Sequence, residues 1–180
     1  MTEYIAFLRG INVGGHNVKM DVLCEQFEAL DLSNVETFIA SGNVIFESRS
    51  SDASRLEAKI EKQLASTLGH EVATFIRTRA EVAQIARYSA FSAEKAASAG
   101  ALCVAFIKQP LNAAQAVALQ QFATEIDEFH SAGSELFWLC KVRQSESKFS
   151  NAQFERKMGL EATIRSLTTV QKLAAKYPSR

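Results

Sequence analysis

The sequence has little of several residue types whose abundance would assign it to a special class. Its 180 residues include 2 prolines, 3 cysteines and 8 glycines. So few cysteines exclude a disulfide scaffold, and so little proline and glycine excludes a low-complexity chain. The longest apolar run, 101–107, is far shorter than the roughly 18 residues of a membrane span. A globular domain, or two small ones, fits what remains.

The chain also lacks an overall charge, because 20 Lys and Arg balance 20 Asp and Glu. This balance argues against non-specific binding to nucleic acid. The distribution is uneven: residues 141–180 hold 9 basic and 3 acidic residues, whereas residues 1–140 hold 11 and 17. Three interpretations stay open for the basic residues of this tail: contact with an acidic partner or nucleic acid, a solvated face, or docking on the acidic first domain. They include Lys148, Arg156, Lys157 and Arg165.

The amino terminus has no basic segment followed by an apolar core, so we expect no secretory signal and a cytoplasmic protein without membrane contact. The cysteines Cys24, Cys103 and Cys140 stand among apolar neighbours. We therefore predict three buried thiols rather than disulfide partners.

The first half alternates β-type and α-type patterns in the order β-α-β-β-α-β, which is typical of a ferredoxin-like unit. Asp21 is placed to cap the first helix, Ser54 and Glu57 form a possible capping box for the second, and Gly69 ends it. Thr78 and Glu81 form a capping box for an extra helix. The predicted strands are 4–9, 36–39, 44–48 and 72–77, and the predicted helices are 20–30, one carrying Leu56, Ile60, Leu64 and Leu68, and 79–88.

The second half repeats this order, and short sequence echoes such as Ile76-Arg77-Thr78 and Ile164-Arg165-Ser166 support a duplication. The predicted strands are 102–107, 126–129, 136–142 and 162–165. The predicted helices are one capped by Asn112, one over 151–158 that stops at Gly159, and a last one carrying Val170, Leu173 and Tyr177. The fold class is therefore α+β, with two ferredoxin-like domains whose antiparallel sheets carry helices on one face. We predict domains at 1–90 and 101–180, each with an extra carboxyl-terminal helix, joined by a linker at 91–100.

Both domains place apolar side chains on both faces of their central strands. The helices of a ferredoxin-like unit cover one face only. We expect the sister domain, a second copy of the chain or a ligand to cover the other, and a homodimer is one way to do so.

The predicted topology brings distant loops together. The first and third strands of this unit are antiparallel neighbours, so the loop after Arg9 converges with the corner around Ser41 and Asn43. The first helix points its amino end at the same place, and glycines let the backbone approach a ligand. We predict an anion site here, its residues being Arg9, Gly10, Asn12, Gly14, Gly15, Lys19, Ser41 and Asn43. The alternative is that the glycines turn the chain and the asparagines only hydrogen-bond the loops.

No catalytic or metal-binding arrangement can be assembled from the sequence. His16 and His70 could meet near this loop end, but no cysteine or carboxylate follows at the spacing of a zinc site. Ser41 lies outside the G-x-S-x-G pattern of a nucleophile elbow and is interpreted as a turn residue. We predict no metal and no cofactor.

Several segments resemble one family, the domain of unknown function 1697. They are residues 4–15 with the Arg9-Gly10-Ile11-Asn12-Val13-Gly14-Gly15 loop, Val18-Lys19-Met20, Ser41-Gly42-Asn43-Val44-Ile45-Phe46, Glu155-Arg156-Lys157-Met158-Gly159, Thr163-Ile164-Arg165 and 169–173. The resemblance implies two ferredoxin-like domains and brings no activity. Where the family usually has Arg-Asn, this chain has Arg165-Ser166, so a site served by that Asn is altered here.

Three functions follow as hypotheses. The first is a protein that binds a small anionic or phosphorylated ligand, or a nucleic-acid end, at the loop after the first strand. The second is an enzyme that acts on such a ligand with His16 or His70 as acid or base. The third is an interaction protein that dimerises through its sheet face.

Overall fold

A computed structural model describes residues 1–12, 17–39 and 42–179. The chain divides into unit 1, Met1–Ala83 with Leu173–Arg180, and unit 2, Gln84–Lys172. These bounds differ from the predicted ones in two places. Residues 84–100, which include the predicted linker, belong to unit 2 and contain a helix, and the carboxyl-terminal residues belong to unit 1.

The elements of the first half are β1 (Thr2–Leu8), α1 (Met20–Glu28), β2 (Ser33–Thr37), β3 (Asn43–Ser48), α2 (Ala53–Leu68), β4 (Thr74–Thr78) and α3 (Arg79–Arg87). The four strands form the antiparallel sheet of unit 1 in the order β2-β3-β1-β4. Strand β1 pairs with β3 through Phe7 opposite Asn43, and with β4 through Leu8 opposite Thr74. This is the predicted ferredoxin-like order.

The remaining strands and α-helices are α4 (Ala93–Ser98), β5 (Ala101–Phe106), α5 (Ala113–Gln120), β6 (Asp127–Ala132), β7 (Glu135–Cys140), α6 (Asn151–Met158), β8 (Thr163–Ser166) and α7 (Leu167–Lys176). Unit 2 has the same topology as unit 1, with strand order β6-β7-β5-β8. The predicted duplication of an α+β, ferredoxin-like architecture is confirmed: two antiparallel sheets each carry helices on one face. Among the described residues, no helix is both long and apolar enough to span a membrane.

The apolar spacing of α2 explains its position. Leu56, Ile60 and Leu64 recur every fourth residue, so they share one face of the helix and are all buried against the sheet. Each such side chain stabilises the fold by about 1.5–3 kcal/mol relative to an exposed one. The other faces of the central strands are buried as well: Ile5 and Phe7 in β1 each have 0% exposure.

Most of the predicted helix caps and helix ends are present in the structure. The Thr78–Glu81 box forms, since the Thr78 N–H donates to Glu81 Oε2 at 2.7 Å and the Glu81 N–H donates to Thr78 Oγ1 at 3.2 Å. Gly69 ends α2 with a φ of +76° and Gly159 ends α6 with a φ of +64°, as predicted. The capping box at Asn112 is also present.

Two predicted caps are wrong. The cap of α2 is Asp52, whose carboxylate accepts from the Arg55 N–H at 3.0 Å, because the chain enters the helix two residues earlier than the Ser54–Glu57 box implies. Glu57 instead faces the sheet. The N-cap position of α1 is occupied by Lys19, whose side chain makes no capping hydrogen bond, and Asp21 lies inside the first turn.

A buried carboxylate organises one end of unit 2. Asp127 has 2% exposure, and its oxygens accept from Trp138 Nε1 at 2.8 Å, Ser147 Oγ at 2.9 Å and Thr124 Oγ1 at 3.0 Å. Donors from three segments therefore converge on one side chain. An acceptor of this kind offsets the cost of burying each donor.

We predict that Asp127→Ala lowers the free energy of unfolding by about 3 kcal/mol, because it leaves the buried Trp138 Nε1–H without an acceptor and removes the hydrogen bonds of Ser147 and Thr124. Urea unfolding followed by the fluorescence of Trp138, the single tryptophan, measures the change. The matched control is the exposed neighbour Glu125→Ala, for which we expect a change within about 0.5 kcal/mol. Equal effects of the two variants would contradict the role given to Asp127.

The three cysteines are free thiols that differ in accessibility. The prediction of buried thiols is confirmed for Cys103 and Cys140. It is wrong for Cys24, which lies in α1 and is half-buried. Burial raises the pKa of the Cys103 thiol to about 11, and burial also raises the pKa values of Cys24 and Cys140. Since the thiolate is the reactive form, we expect all three to react slowly at neutral pH.

We predict that iodoacetamide labels Cys24 first and that its labelling rate rises with pH, because a raised pKa leaves little thiolate at neutral pH. Peptide mapping by mass spectrometry follows each site. Cys103 and Cys140 become labelled only when urea unfolds the chain. Equal labelling rates for all three cysteines in the folded protein would contradict the described burial.

Candidate functional site

The loop cluster is the set of residues at the end of unit 1 where β1 stops and β3 begins. Among the described residues it comprises Arg9, Gly10, Asn12, Lys19, Gly42 and Asn43. Gly14, Gly15 and Ser41, which belong to the predicted site, and His16 of the enzymatic hypothesis lie outside the described residues.

Two backbone hydrogen bonds fix Arg9 between two other loops. The Leu8 N–H donates to the Gly42 carbonyl at 2.8 Å, and the Arg9 N–H donates to the Ala73 carbonyl at 2.9 Å. The end of β1 therefore lies beside both the β2–β3 corner and the turn that enters β4. Gly69 and His70 come just before this turn. The convergence expected from the strand order is present.

Gly42 makes the close approach possible. Its φ is +73°, and a Cβ added there would lie 2.7 Å from Ile11 Cγ2 and 3.2 Å from Leu8 Cβ. The side chain of Ile11 is 2% exposed, so it packs down onto the glycine and ties the loop after β1 to the corner. Gly10 also has a positive φ, +67°, which turns the chain directly after Arg9.

The two asparagines hydrogen-bond the loops. Asn12 Oδ1 accepts from the Val18 N–H at 2.9 Å and so lies beside the residue that precedes Lys19. Asn43 is fully buried, its Nδ2 donates to the Phe38 carbonyl at 3.0 Å, and the Phe38 N–H donates to the Asn43 carbonyl at 2.9 Å. Asn43 therefore secures the base of the corner. A contact of either side chain with a ligand stays a prediction.

Lys19 is exposed and directly precedes α1. As the N-cap residue of this helix, Lys19 makes no side-chain cap hydrogen bond, and the Asp21 carboxylate in the first turn accepts from the Val22 N–H at 2.8 Å. A cation therefore stands where the helix presents its amino end, the position at which the helix dipole also favours an anion. Among the described residues, no group of three or more His, Cys, Asp and Glu is arranged to hold a metal ion.

Carboxylates of α2 stabilise the outer edge of β4, a role that sequence reasoning missed. Glu57 Oε1 accepts from the Ile76 N–H and Glu61 Oε1 accepts from the Thr74 N–H, each at 2.8 Å. In unit 2 the Glu155 carboxylate accepts from the Ala162 N–H at 2.9 Å. The spacing of Glu57 and Glu61, one helical turn apart and next to buried leucines, is the signal that could have indicated them.

The paired arginines of the two sequence echoes occupy equivalent places. Arg77 has 8% exposure and its Nη1 donates to the Ile76 carbonyl at 2.8 Å; Arg165 has 9% exposure and its Nη1 donates to the Ile164 carbonyl at 2.9 Å. Burial lowers the pKa of Arg165 to about 10, which leaves the guanidinium charged at neutral pH. The duplication therefore extends to buried side chains and not only to strand order.

Ser166, which stands where the resemblance leads one to expect Asn, has a local role. Its hydroxyl oxygen accepts from the Thr169 N–H at 3.1 Å, at the start of α7. Serine and asparagine cap helix starts about equally well. The departure from Arg-Asn therefore keeps a capping residue after Arg165.

Residues 1–137 match the model of DUF1697, a family described as protein of unknown function. The chain belongs to the DUF1697 family. It is also similar to a solved structure, the conserved bacterial protein SP0830 from Streptococcus pneumoniae, with a TM-score of 0.78 and 24% identity over 99% of each chain. At this identity the likeness shows the fold alone. No curated protein matches the chain.

We predict that Gly42→Ala destabilises this DUF1697 protein by about 2–4 kcal/mol, since it adds a steric conflict with Ile11 to the cost of a positive φ. Gly69→Ala is the matched control: φ there is +76°, but a Cβ would meet nothing within 4 Å. We expect it to cost only about 1–2 kcal/mol. Urea unfolding of both variants measures the difference, and equal losses would show that Ile11 does not press on Gly42.

Proposed function

We propose that the protein binds a small anionic or phosphorylated ligand at the loop cluster. One observation carries this proposal: the two backbone hydrogen bonds of Leu8 and Arg9 place the end of β1 between Gly42 and Ala73. A cationic residue and a tight glycine corner thereby share one end of the sheet, and the hydrogen bond from the Val18 N–H to Asn12 Oδ1 links the approach to α1 to the loop after β1. This combination suits anion binding.

The charge of the segment supports the proposal. From Arg9 to Lys19 the sequence holds Arg9, His16 and Lys19 and no acidic residue. In the proposed site Arg9 and Lys19 supply positive charge, and backbone N–H groups of the loop and the helix start hold the ligand oxygens. The positive charge of Lys19 also offsets the negative charge of Asp21, which lies in the first turn of α1.

A hydrogen bond between two described residues supports it further. Asn12 Oδ1 accepts from the Val18 N–H at 2.9 Å, so Asn12 is held beside the residue that precedes Lys19. Residues that are held in place before a ligand binds lose less conformational freedom on binding. We propose that Asn12 positions the approach to α1, while Asn43 orients the corner.

The other hypotheses remain as alternatives. The enzymatic one rests on His16 or His70; the His70 Nδ1 lies 3.3 Å from the Leu68 carbonyl. A nucleic-acid end is one source of the anion, and a homodimer is the remaining alternative.

We also propose a cytoplasmic location, which the three free thiols favour because reducing compartments keep cysteines unpaired.

We predict that inorganic phosphate or adenosine monophosphate raises the melting temperature. A ligand at ten times its Kd stabilises the folded state by about 1.4 kcal/mol, which corresponds to about 3–6 °C for a chain of this size. Differential scanning fluorimetry measures the shift. Lys19→Gln removes the exposed cation of the site and should reduce the shift by more than half.

Lys62→Gln is the matched control, because it removes an equally exposed lysine from α2. It should leave the ligand-induced shift unchanged. A shift that survives Lys19→Gln in full would contradict the proposed site, and the absence of any shift would contradict anion binding. Turnover of adenosine monophosphate, lost on His70→Ala, would favour the enzymatic alternative.

A further inference from the structure

A second concave surface lies at the opposite end of the unit 1 sheet. This basic cleft has a volume of about 680 Å³, within the range of small-molecule sites. It lies where β1 begins, β2 begins and β3 ends, since Thr2 pairs with Ser48 and Ser33 with Glu47. It is lined by Met1, Leu30, Asp31, Leu32, Ser33, Ser48, Arg49, Ser50, Arg55, Leu56 and Lys59.

Cations dominate the rim of the basic cleft. Arg49, Arg55 and Lys59 line it together with a single acidic residue, Asp31. Lys59 Nζ donates to the Leu30 carbonyl at 2.8 Å, across the cleft wall. Among the described residues, no carboxylate forms a salt bridge with Arg49 or Arg55. In a chain with equal numbers of acidic and basic residues, two arginines beside one cavity without a carboxylate partner form a local positive site.

The position of Arg49 is fixed by a short hydrogen-bonded turn. Ser48 Oγ accepts from the Ser50 N–H at 3.1 Å, Ser50 Oγ accepts from the Asp52 N–H at 3.2 Å, and Tyr4 Oη donates to the Ser50 carbonyl at 3.0 Å. The backbone on both sides of Arg49 is therefore held in place. Because less ordering is needed on binding, such a rim suits ligand recognition.

Ser48 adds a buried polar group to the cleft. It is 5% exposed, and its oxygen already accepts from the Ser50 N–H. Among residues 1–12, 17–39 and 42–179, its own proton is donated in no hydrogen bond. The hydroxyl therefore retains one donor, which an anionic oxygen in the cleft can take.

The floor of the cleft is apolar. Leu32 and Leu56 have 6% and 4% exposure, and Leu30 is half-buried beside them. A cationic rim above an aliphatic floor fits a ligand that has an anionic group and an apolar body. Guanidinium groups match the geometry of phosphate oxygens with paired hydrogen bonds, whereas the leucines gain from apolar contact.

We propose that the basic cleft binds an organic phosphate, with its phosphate between Arg49 and Arg55 and its apolar body on Leu32 and Leu56. This site is separate from the loop cluster, because the two lie at opposite ends of β1. The function proposed for the loop cluster can therefore fail while this one holds, and the reverse is also true.

The test is a titration of the full chain with phenyl phosphate, followed by ¹H–¹⁵N correlation spectra. We expect saturable shifts at the amides of Ser33, Arg49 and Ser50. We expect binding about tenfold tighter than for inorganic phosphate or phenol, since each of these lacks one half of the proposed contacts. Equal binding of inorganic phosphate would overturn the role of the apolar floor.

The variant Arg49→Gln with Arg55→Gln should weaken phenyl phosphate binding at least tenfold. Its charge-matched control is Arg143→Gln with Arg156→Gln, which removes two exposed arginines from unit 2 and should change the affinity less than twofold. Both doubles replace exposed side chains, and circular dichroism melts verify that they fold. Three outcomes would each overturn the proposal. The first is equal weakening by the two double variants, and the second is the absence of any saturable shift. The third is a set of shifts that is confined to the loop cluster and abolished by Lys19→Gln.

Discussion

The antiparallel pairing of β1 with both β3 and β4 is the constraint on which the rest of unit 1 depends. It fixes which residues meet at each end of the sheet: Arg9 with Gly42 and Ala73 at one end, and Thr2 with Ser48 at the other. A shift of one residue in this register would turn every side chain of β1 to the opposite face. Both faces of β1 are buried and apolar, with Ile5 and Phe7 on one side and Tyr4 and Ala6 on the other, so the fit of side-chain volumes rather than polarity holds the register.

The two ends of this sheet present cations in different ways. At the loop cluster, a lysine stands at a helix start and an arginine follows a strand. In the basic cleft, two arginines and a lysine surround an aliphatic floor. The first arrangement favours a compact anion held by N–H groups, whereas the second favours an anion with an apolar body. Unit 1 therefore carries two chemically distinct candidate sites on one sheet.

The duplication makes the structural residues easier to separate from the functional ones. Roles that recur in both units, such as those of the buried Arg77 and Arg165, belong to the fold. The Gly42 corner beneath Ile11 is a feature of unit 1. The Asp127 network with Trp138 is a feature of unit 2. Features found in one unit only are the better candidates for a specific task.

The sequence by itself determined the order of elements, the duplication, the helix ends at Gly69 and Gly159, and the meeting of the Arg9 loop with the Gly42 corner. These follow from local periodicity, capping chemistry and the known pairing of the ferredoxin-like order. Only the tertiary structure decided that Glu57 faces β4 rather than its own helix start, that Cys24 is half-exposed, and that Arg49, Arg55 and Lys59 share a cleft. The reason is physical: these facts depend on the rotations of α1 and α2 about their axes and on the turn after β3, which residues far apart in the chain set together.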